Sequence, residues 1–307
     1  AIPNGADLWN GGCSAVGWST EDGKHLWGRN MDFNRMAAGT GIAYLPAGTA
    51  LATSEGVTAP SRYAALGVGL LAVPGLPLLY EGVNEQGLMG GQLYYRTFAH
   101  FAPEARPGTL PLQPPFLVTW CLATCASVEE VARALEERVS LVAIPMLGTV
   151  PPIHWMFSDR TGESIVVESD RDGLHIYRRT IGVMTNSPGY PWHRTNLLNY
   201  PQLRPLDYGE LAWGGERLEP CFSGTGAQGL PGDWSSPSRF VRLAFLRRYA
   251  RPCRTEGEGI SRLMRLLQSV AFPLGAVRLE GEPPWEYTLY TAAASAKSRR
   301  FYWTTYE

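Results

Sequence analysis

Gly11-Gly12-Cys13-Ser14 places a thiol at the head of a run of strand-forming residues. A cysteine is a strong nucleophile once ionised, and ionisation needs a base or a positive neighbour. An α-amino group has a reference pKa of about 7.7–8.0, so it can serve as that base near neutral pH. Cutting the Gly12–Cys13 bond would give Cys13 its own base on its own Cα. Gly12 has no side chain and permits a tight turn there. The bland alternative for such a cysteine is a small buried hydrophobe. Two charges, Arg29 and Asp32, stand in the otherwise apolar stretch from Leu26 to Phe33. Residues three apart face opposite sides of a regular strand, so both border one site only where a strand ends or bends. A structural Arg–carboxylate pair is the alternative.

Other chemistry fits poorly. The five cysteines are Cys13, Cys121, Cys125, Cys221 and Cys253, an odd number that argues against a disulfide framework. Cys121 and Cys125 share one helix face, but zinc would need two more ligands at partner spacing. Gly224-Thr225-Gly226-Ala227-Gln228-Gly229 matches the dinucleotide fingerprint by letters. It lacks the preceding strand and following helix that would aim a helix N-terminus at a pyrophosphate, so it reads as a glycine loop. No metal or cofactor is expected.

The elements that must position these residues are mostly strands. Cys13 to Thr20 and Lys24 to Phe33 flank the turn Glu21-Asp22-Gly23 and predict an opening hairpin. His154 to Asp159, Ser164 to Ser169 and Leu174 to Arg179 predict a meander. Tyr287 to Ala294 and Phe301 to Tyr306 predict a closing hairpin. Helices are predicted after the capping box Ser127 to Glu130, over Ser238 to Ala250, and over Gly259 to Phe272, each with apolar residues at helical spacing. Arg106 to Pro115 reads as a surface loop. Strands at both ends with helices grouped between predict an α+β fold.

The 307 residues suggest one or two domains, and 45% hydrophobic residues exclude a disordered chain. Lys and Arg number 27 against 28 Asp and Glu, which leaves no basic footprint for nucleic acid. The most apolar segment, Ala64 to Tyr80, is broken by Gly67, Gly69, Pro74, Gly75 and Pro77. It predicts a core strand and a loop, not a membrane span. The first residue is Ala1; a removed signal peptide, initiator Met or tag would each account for it.

Cys13-Ser14 followed by Gly28-Arg29-Asn30-Met31-Asp32-Phe33 resembles the start of choloylglycine hydrolase family enzymes. These are N-terminal-nucleophile amidases that include bile salt hydrolases and penicillin V acylases. Further blocks match in order: Tyr80 to Leu88, Ile181 to Pro188, Gly229 to Asp233 and Ser238 to Phe240. The resemblance implies a four-layer αββα sandwich of two antiparallel sheets. It implies a leader at residues 1–12 and one amidase domain at 13–307, with processing at Gly12–Cys13.

The implied roles are specific. Cys13 is the nucleophile and its freed amine the base. Arg29 favours the thiolate, and Asp32 holds the amine. Asn186 donates to the oxyanion, a contribution of about 3–4 kcal/mol for such donors. Arg239 completes the polar site. Bile salt hydrolases usually carry an Asn where this chain has Tyr94. The Tyr94 N–H can still serve the oxyanion, and its ring offers a face for a phenoxyacetyl group. That residue, with Leu88-Met89-Gly90, Leu93-Tyr94-Tyr95 and Met184 to Tyr190, resembles penicillin V acylases and favours that activity, with a bile salt hydrolase or a non-catalytic unprocessed relative as alternatives. Met31, Leu70, Leu71, Tyr94 and Leu147 are the expected pocket residues. The family also implies a small amide substrate, no nucleic-acid or membrane partner, and a homotetramer. The cytoplasm is the expected compartment, with export after signal-peptide removal as the alternative. Family members begin at the Cys and usually run past the position of Glu307.

Overall fold

The computed structural model describes residues 11–53, 56–57, 59–71, 76–146, 148–280 and 283–306. Most of the expected leader, residues 1–10, and the pocket candidate Leu147 lie outside them. Two antiparallel sheets dominate. The first holds β1 (Cys13–Ser19), β2 (His25–Phe33), β14 (Val183–Met184), β17 (Val277–Arg278), β18 (Trp285–Ser295) and β19 (Phe301–Thr305). Its order is β14-β1-β2-β18-β17, with β19 also on β18. The second holds β3 (Thr40–Leu45), β6 (Ala65–Leu70), β7 (Leu78–Asn84), β8 (Met89–Tyr94), β11 (Ile153–Ser158), β12 (Ser164–Asp170) and β13 (Gly173–Tyr177). Its order is β13-β12-β11-β8-β7-β6-β3. Short pairs add β4 (Ala52–Thr53) with β5 (Gly56–Val57), β9 (Leu110–Leu112) with β10 (Val139–Leu141), and β15 (Leu211–Trp213) with β16 (Glu216–Leu218).

The sheets stack, touching through β1 and β2 on β8 and through β18 on β7. Helices α4 (Ser236–Tyr249) and α5 (Glu256–Gln268) cover the outer face of the first sheet, and α1 (Leu117–Thr124) covers that of the second. Helix α2 (Val128–Glu137) adds Val131 and Leu135 to the same outer core as α1. Four layers therefore bury both faces of the central strands. Six of the seven β1 residues are buried accordingly, where a one-faced strand would alternate. One core lies between the first sheet and α4–α5, with Val16, Leu26, Phe240, Leu263 and Leu267. The other lies between the second sheet and α1–α2, with Leu79, Trp155, Phe157, Leu117 and Leu135. Close approach of the sheets depends on Gly91 in β8. A Cβ there would meet Trp27 Cη2 at 2.7 Å and Glu81 Cβ at 2.8 Å.

The three expected strand groups are present, each within a few residues of its predicted bounds. Gly224 to Gly229 holds a short 3₁₀ turn, with no strand before it or α-helix directly after it. Two local readings are corrected. The expected loop from Arg106 to Pro115 contains β9, which pairs in parallel with β10. Helix α5 starts at Glu256, ahead of Gly259, because Thr255 and Glu258 form a full capping box. The short helix α3 (Tyr190–Asn196) has too little apolar periodicity to show in the sequence.

Candidate active site

Cys13 is the first residue of β1 and is buried. Arg29, one strand over on β2, donates from Nη2 to the Cys13 sulfur at 2.9 Å. Its Nη1 pairs with Glu81 Oε2 of β7 at 2.5 Å, and both side chains are fully buried. Glu81 Oε1 in turn accepts from Tyr290 Oη of β18 at 2.7 Å. Burial opposes the Arg29 charge. Cys13, Glu81 and Tyr290 outweigh it and hold the guanidinium protonated. For Cys13 the balance is reversed: burial pushes the thiol up, and Arg29 recovers only part of the loss. A thiol in that condition needs a proton acceptor before it can attack.

Asp32 lies on the other side of β2. Asn30, two residues away and so on the same face, donates to Leu267 O of α5 at 2.8 Å. Asp32 Oδ1 accepts from Thr288 Oγ1 at 2.5 Å. Its Oδ2 is buried without a hydrogen-bond partner among the described residues. Burial raises this carboxyl to about 6, against the pull of Arg239, the Thr288 bond and Arg29. Arg29 and Asp32 thus face opposite ways, as their spacing requires. They border one site because β1 begins at Cys13, which presents its thiol to one face and its main chain to the other.

Asn186 follows β14 and precedes the cis Ser187–Pro188 bond. Its Oδ1 accepts from Cys13 N–H at 2.9 Å and from Arg239 Nη2 at 2.7 Å. Those donors orient the amide, so Nδ2 faces the Tyr94 carbonyl, 2.8 Å away. The expected Asp32 bond to the Cys13 nitrogen is therefore not formed here. That nitrogen is an amide with one hydrogen, and the hydrogen goes to Asn186. Arg239, in the first turn of α4, is 2% exposed and not the surface cation its position suggests. Its Nη1 donates to Cys13 O at 2.5 Å and Ser14 Oγ at 2.8 Å. His193 also supports Asn186, with Nε2 donating to Asn186 O at 2.9 Å. Burial lowers this imidazole to about 4, which keeps it neutral.

Tyr94 ends β8 opposite Ile153. Tyr95 N–H donates to Pro152 O at 2.7 Å, which makes Tyr94–Ile153 a non-hydrogen-bonded pair. The Tyr94 N–H therefore points away from β11. The pairing of β8 with β7 ends at Gly91, so no β7 ladder bond claims that N–H.

Two cavities share Gly11 and Tyr94 in their walls, and Cys13 lines the first of them. An apolar one of about 190 Å³ is lined by Cys13, Met31, Leu70, Leu78, Tyr94, Ile153 and Leu289 among others. Met31, Leu70 and Tyr94 were expected there. Leu71 was also expected, but it is about half exposed and outside the lining, because the strand alternation sends it to the opposite side from Leu70. A second cavity of about 640 Å³ is more polar, with Gly12, Arg96, Asn186, Arg239, Arg278 and Glu286 on its walls. Glu81, Tyr290, Thr288, His193 and Glu286 escaped sequence reasoning. The available signal was a charge within a strand pattern: Glu81 in Leu78 to Asn84, and Glu286 ahead of Tyr287.

Stacked antiparallel sheets between helices, with a cysteine opening a central strand, define the N-terminal-nucleophile hydrolase architecture. Residues 13–307 match the family described as linear amide C–N hydrolases, choloylglycine hydrolase family, and the chain belongs to that family. It is thus a hydrolase acting on linear amides. It is 34% identical over 298 residues to a bile salt hydrolase/transferase of Clostridium perfringens, covering 96% of this chain and 89% of the relative. It is 33% identical to a conjugated bile acid hydrolase of Lactobacillus acidophilus, covering 94% and 91%. A crystal structure of a conjugated bile acid hydrolase variant from Clostridium perfringens superposes with a TM-score of 0.87 at 33% identity, covering 96% and 89%. A penicillin V acylase from Agrobacterium tumefaciens shares the fold, with a TM-score of 0.75 at 21% identity, covering 96% and 83%.

Proposed function

We propose that this chain is a cysteine amidase of the bile salt hydrolase type, cleaving an amide between an apolar acyl group and a charged amine. The supporting observation is identity of 33–34% to bile acid hydrolases across 94–96% of the chain, against 21% to the penicillin V acylase. The cavities fit that division, since the apolar one suits the acyl group. The polar one, with Arg96 and Arg278, suits an amine bearing a carboxylate or sulfonate. The preference for penicillin V that Tyr94 and three short blocks suggested gives way, because such local likeness weighs less than similarity over the whole chain.

In this reading Cys13 Sγ attacks the amide carbon and the α-amine of Cys13 takes the thiol proton. Tyr94 N–H and Asn186 Nδ2 receive the oxyanion, for which Asn186 must release the Tyr94 carbonyl. The ammonium protonates the departing amine, and water then hydrolyses the thioester. The Gly12–Cys13 bond must first be cut, because an amide nitrogen cannot act as the base. Asp32 Oδ2 and Asn186 Oδ1 would then hold the freed amine. The test is parallel turnover of glycocholate and penicillin V. Faster glycine release is expected, and faster phenoxyacetate release would reverse the assignment. We also propose assembly of several copies through the β15–β16 hairpin, which exposes Leu211, Trp213 and Leu218. Sedimentation should show an oligomer that Trp213→Asp dissociates, and a wild-type monomer at high concentration would exclude it.

A further inference from the structure

The peptide that joins Gly12 to Cys13 is held in part by groups other than those awaiting the substrate. The Gly12 carbonyl accepts from the Asp32 main-chain N–H at 3.0 Å. The Cys13 N–H donates to Asn186 Oδ1. One residue earlier, the Gly12 N–H donates to Glu286 Oε1. Glu286 is a buried carboxylate near the start of β18, two residues before Thr288 and on the same face. Gly11 and Gly12 are also confined sterically. A Cβ on Gly12 would lie 2.8 Å from Phe272 Cζ and 2.9 Å from Glu286 Oε1. One on Gly11 would lie 2.6 Å from both Asp32 O and Phe33 Cδ2.

We infer that Glu286, Phe272 and the Asp32 N–H form a clamp for the leader that admits glycine at positions 11 and 12 and positions the Gly12 carbonyl for removal. The inference rests on the proposed processing at Cys13. In the first step Cys13 Sγ bonds to the Gly12 carbonyl carbon and the C–N bond to Cys13 breaks. The thiol proton passes to the departing nitrogen, giving a thioester and a free amine. Water then adds its hydroxyl to the Gly12 carbon and its proton to sulfur, which releases the leader as a carboxylate. During attack the Gly12 oxygen becomes the oxyanion, and the Asp32 N–H already faces it. Glu286 touches the leader and not the reacting atoms, so it is a positioning residue. It fixes the Gly12 plane by accepting its N–H.

The test follows leader loss by intact mass as the full chain is made by cell-free translation, for wild type, Glu286→Ala, Glu286→Gln and Gly12→Ala. Cleavage in Glu286→Ala and Gly12→Ala should slow by about tenfold or more, the scale of one buried hydrogen bond or one steric clash. Glutamine keeps the acceptor oxygen, so Glu286→Gln should stay within about threefold of wild type. If wild type never cleaves at Gly12–Cys13, the processing reading itself fails. If wild type cleaves and Glu286→Ala or Gly12→Ala matches it, the clamp alone is overturned. Glu286→Gln as slow as Glu286→Ala would also overturn it, because the accepted hydrogen bond would not be what matters. Should Glu286→Ala fail to fold, Gly12→Ala decides, since that change lies in the segment that is discarded.

Discussion

Arg29 faces two ways, with one guanidinium nitrogen on the Cys13 sulfur and another on Glu81. The Glu81 carboxylate fixes the cation that in turn fixes the thiol. Removing it strands a buried charge, so Glu81→Ala should destabilise the fold by about 3–5 kcal/mol in denaturant unfolding. A loss near zero would show that water reaches Arg29. Asp32 makes a second prediction. Its carboxyl stands near 6 in the folded chain, above the usual carboxylate value, so the folded state holds its proton more tightly than the unfolded state. Stability should therefore fall as pH rises from about 4 to about 6, by up to about 3 kcal/mol, and level off above that. Asp32→Asn should lack this component when urea unfolding is compared across the range. Parallel curves would refute it. Cys13, Arg29 and Asp32 were legible because a thiol and two charges interrupt strand patterns. Glu81 and Tyr290 were not, because Glu81 reaches Arg29 and Tyr290 from the opposite sheet.

At the scale of elements, hairpins were easier to read than helix starts. Glu21-Asp22-Gly23 marks its turn by residue type, and β1 and β2 pair from Cys13–Met31 to Ser19–His25. The α5 start was missed because its cap precedes the apolar periodicity. Thr255 satisfies the Glu258 N–H, and Thr255→Ala should cost about 1 kcal/mol of stability. A thermal midpoint unchanged by that substitution would show the cap to be idle. What no pattern conveys is the register shift between Thr288 and Tyr290, opposite Asp32 and Met31. It keeps Thr288 on Asp32 while Tyr290 reaches Glu81 on the other face.

At the scale of the molecule, two sheets pressed together place residues far apart in sequence around one sulfur. Asn186 and Arg239 come from a loop and a helix at the same edge, and Arg239 bonds to Cys13 O, Ser14 Oγ and Asn186 Oδ1. The layer order came from family resemblance and not from periodicity, because strands buried on both faces lose the alternation that would orient them. The central claim is that Cys13 works with its own freed amine. Its most direct test correlates glycine release from glycocholate with the fraction of chains whose first residue is Cys13, read by intact mass over a processing time course. Activity should rise in proportion to that fraction and be absent from Cys13→Ala. Full turnover by chains that still carry Gly12 would contradict the account.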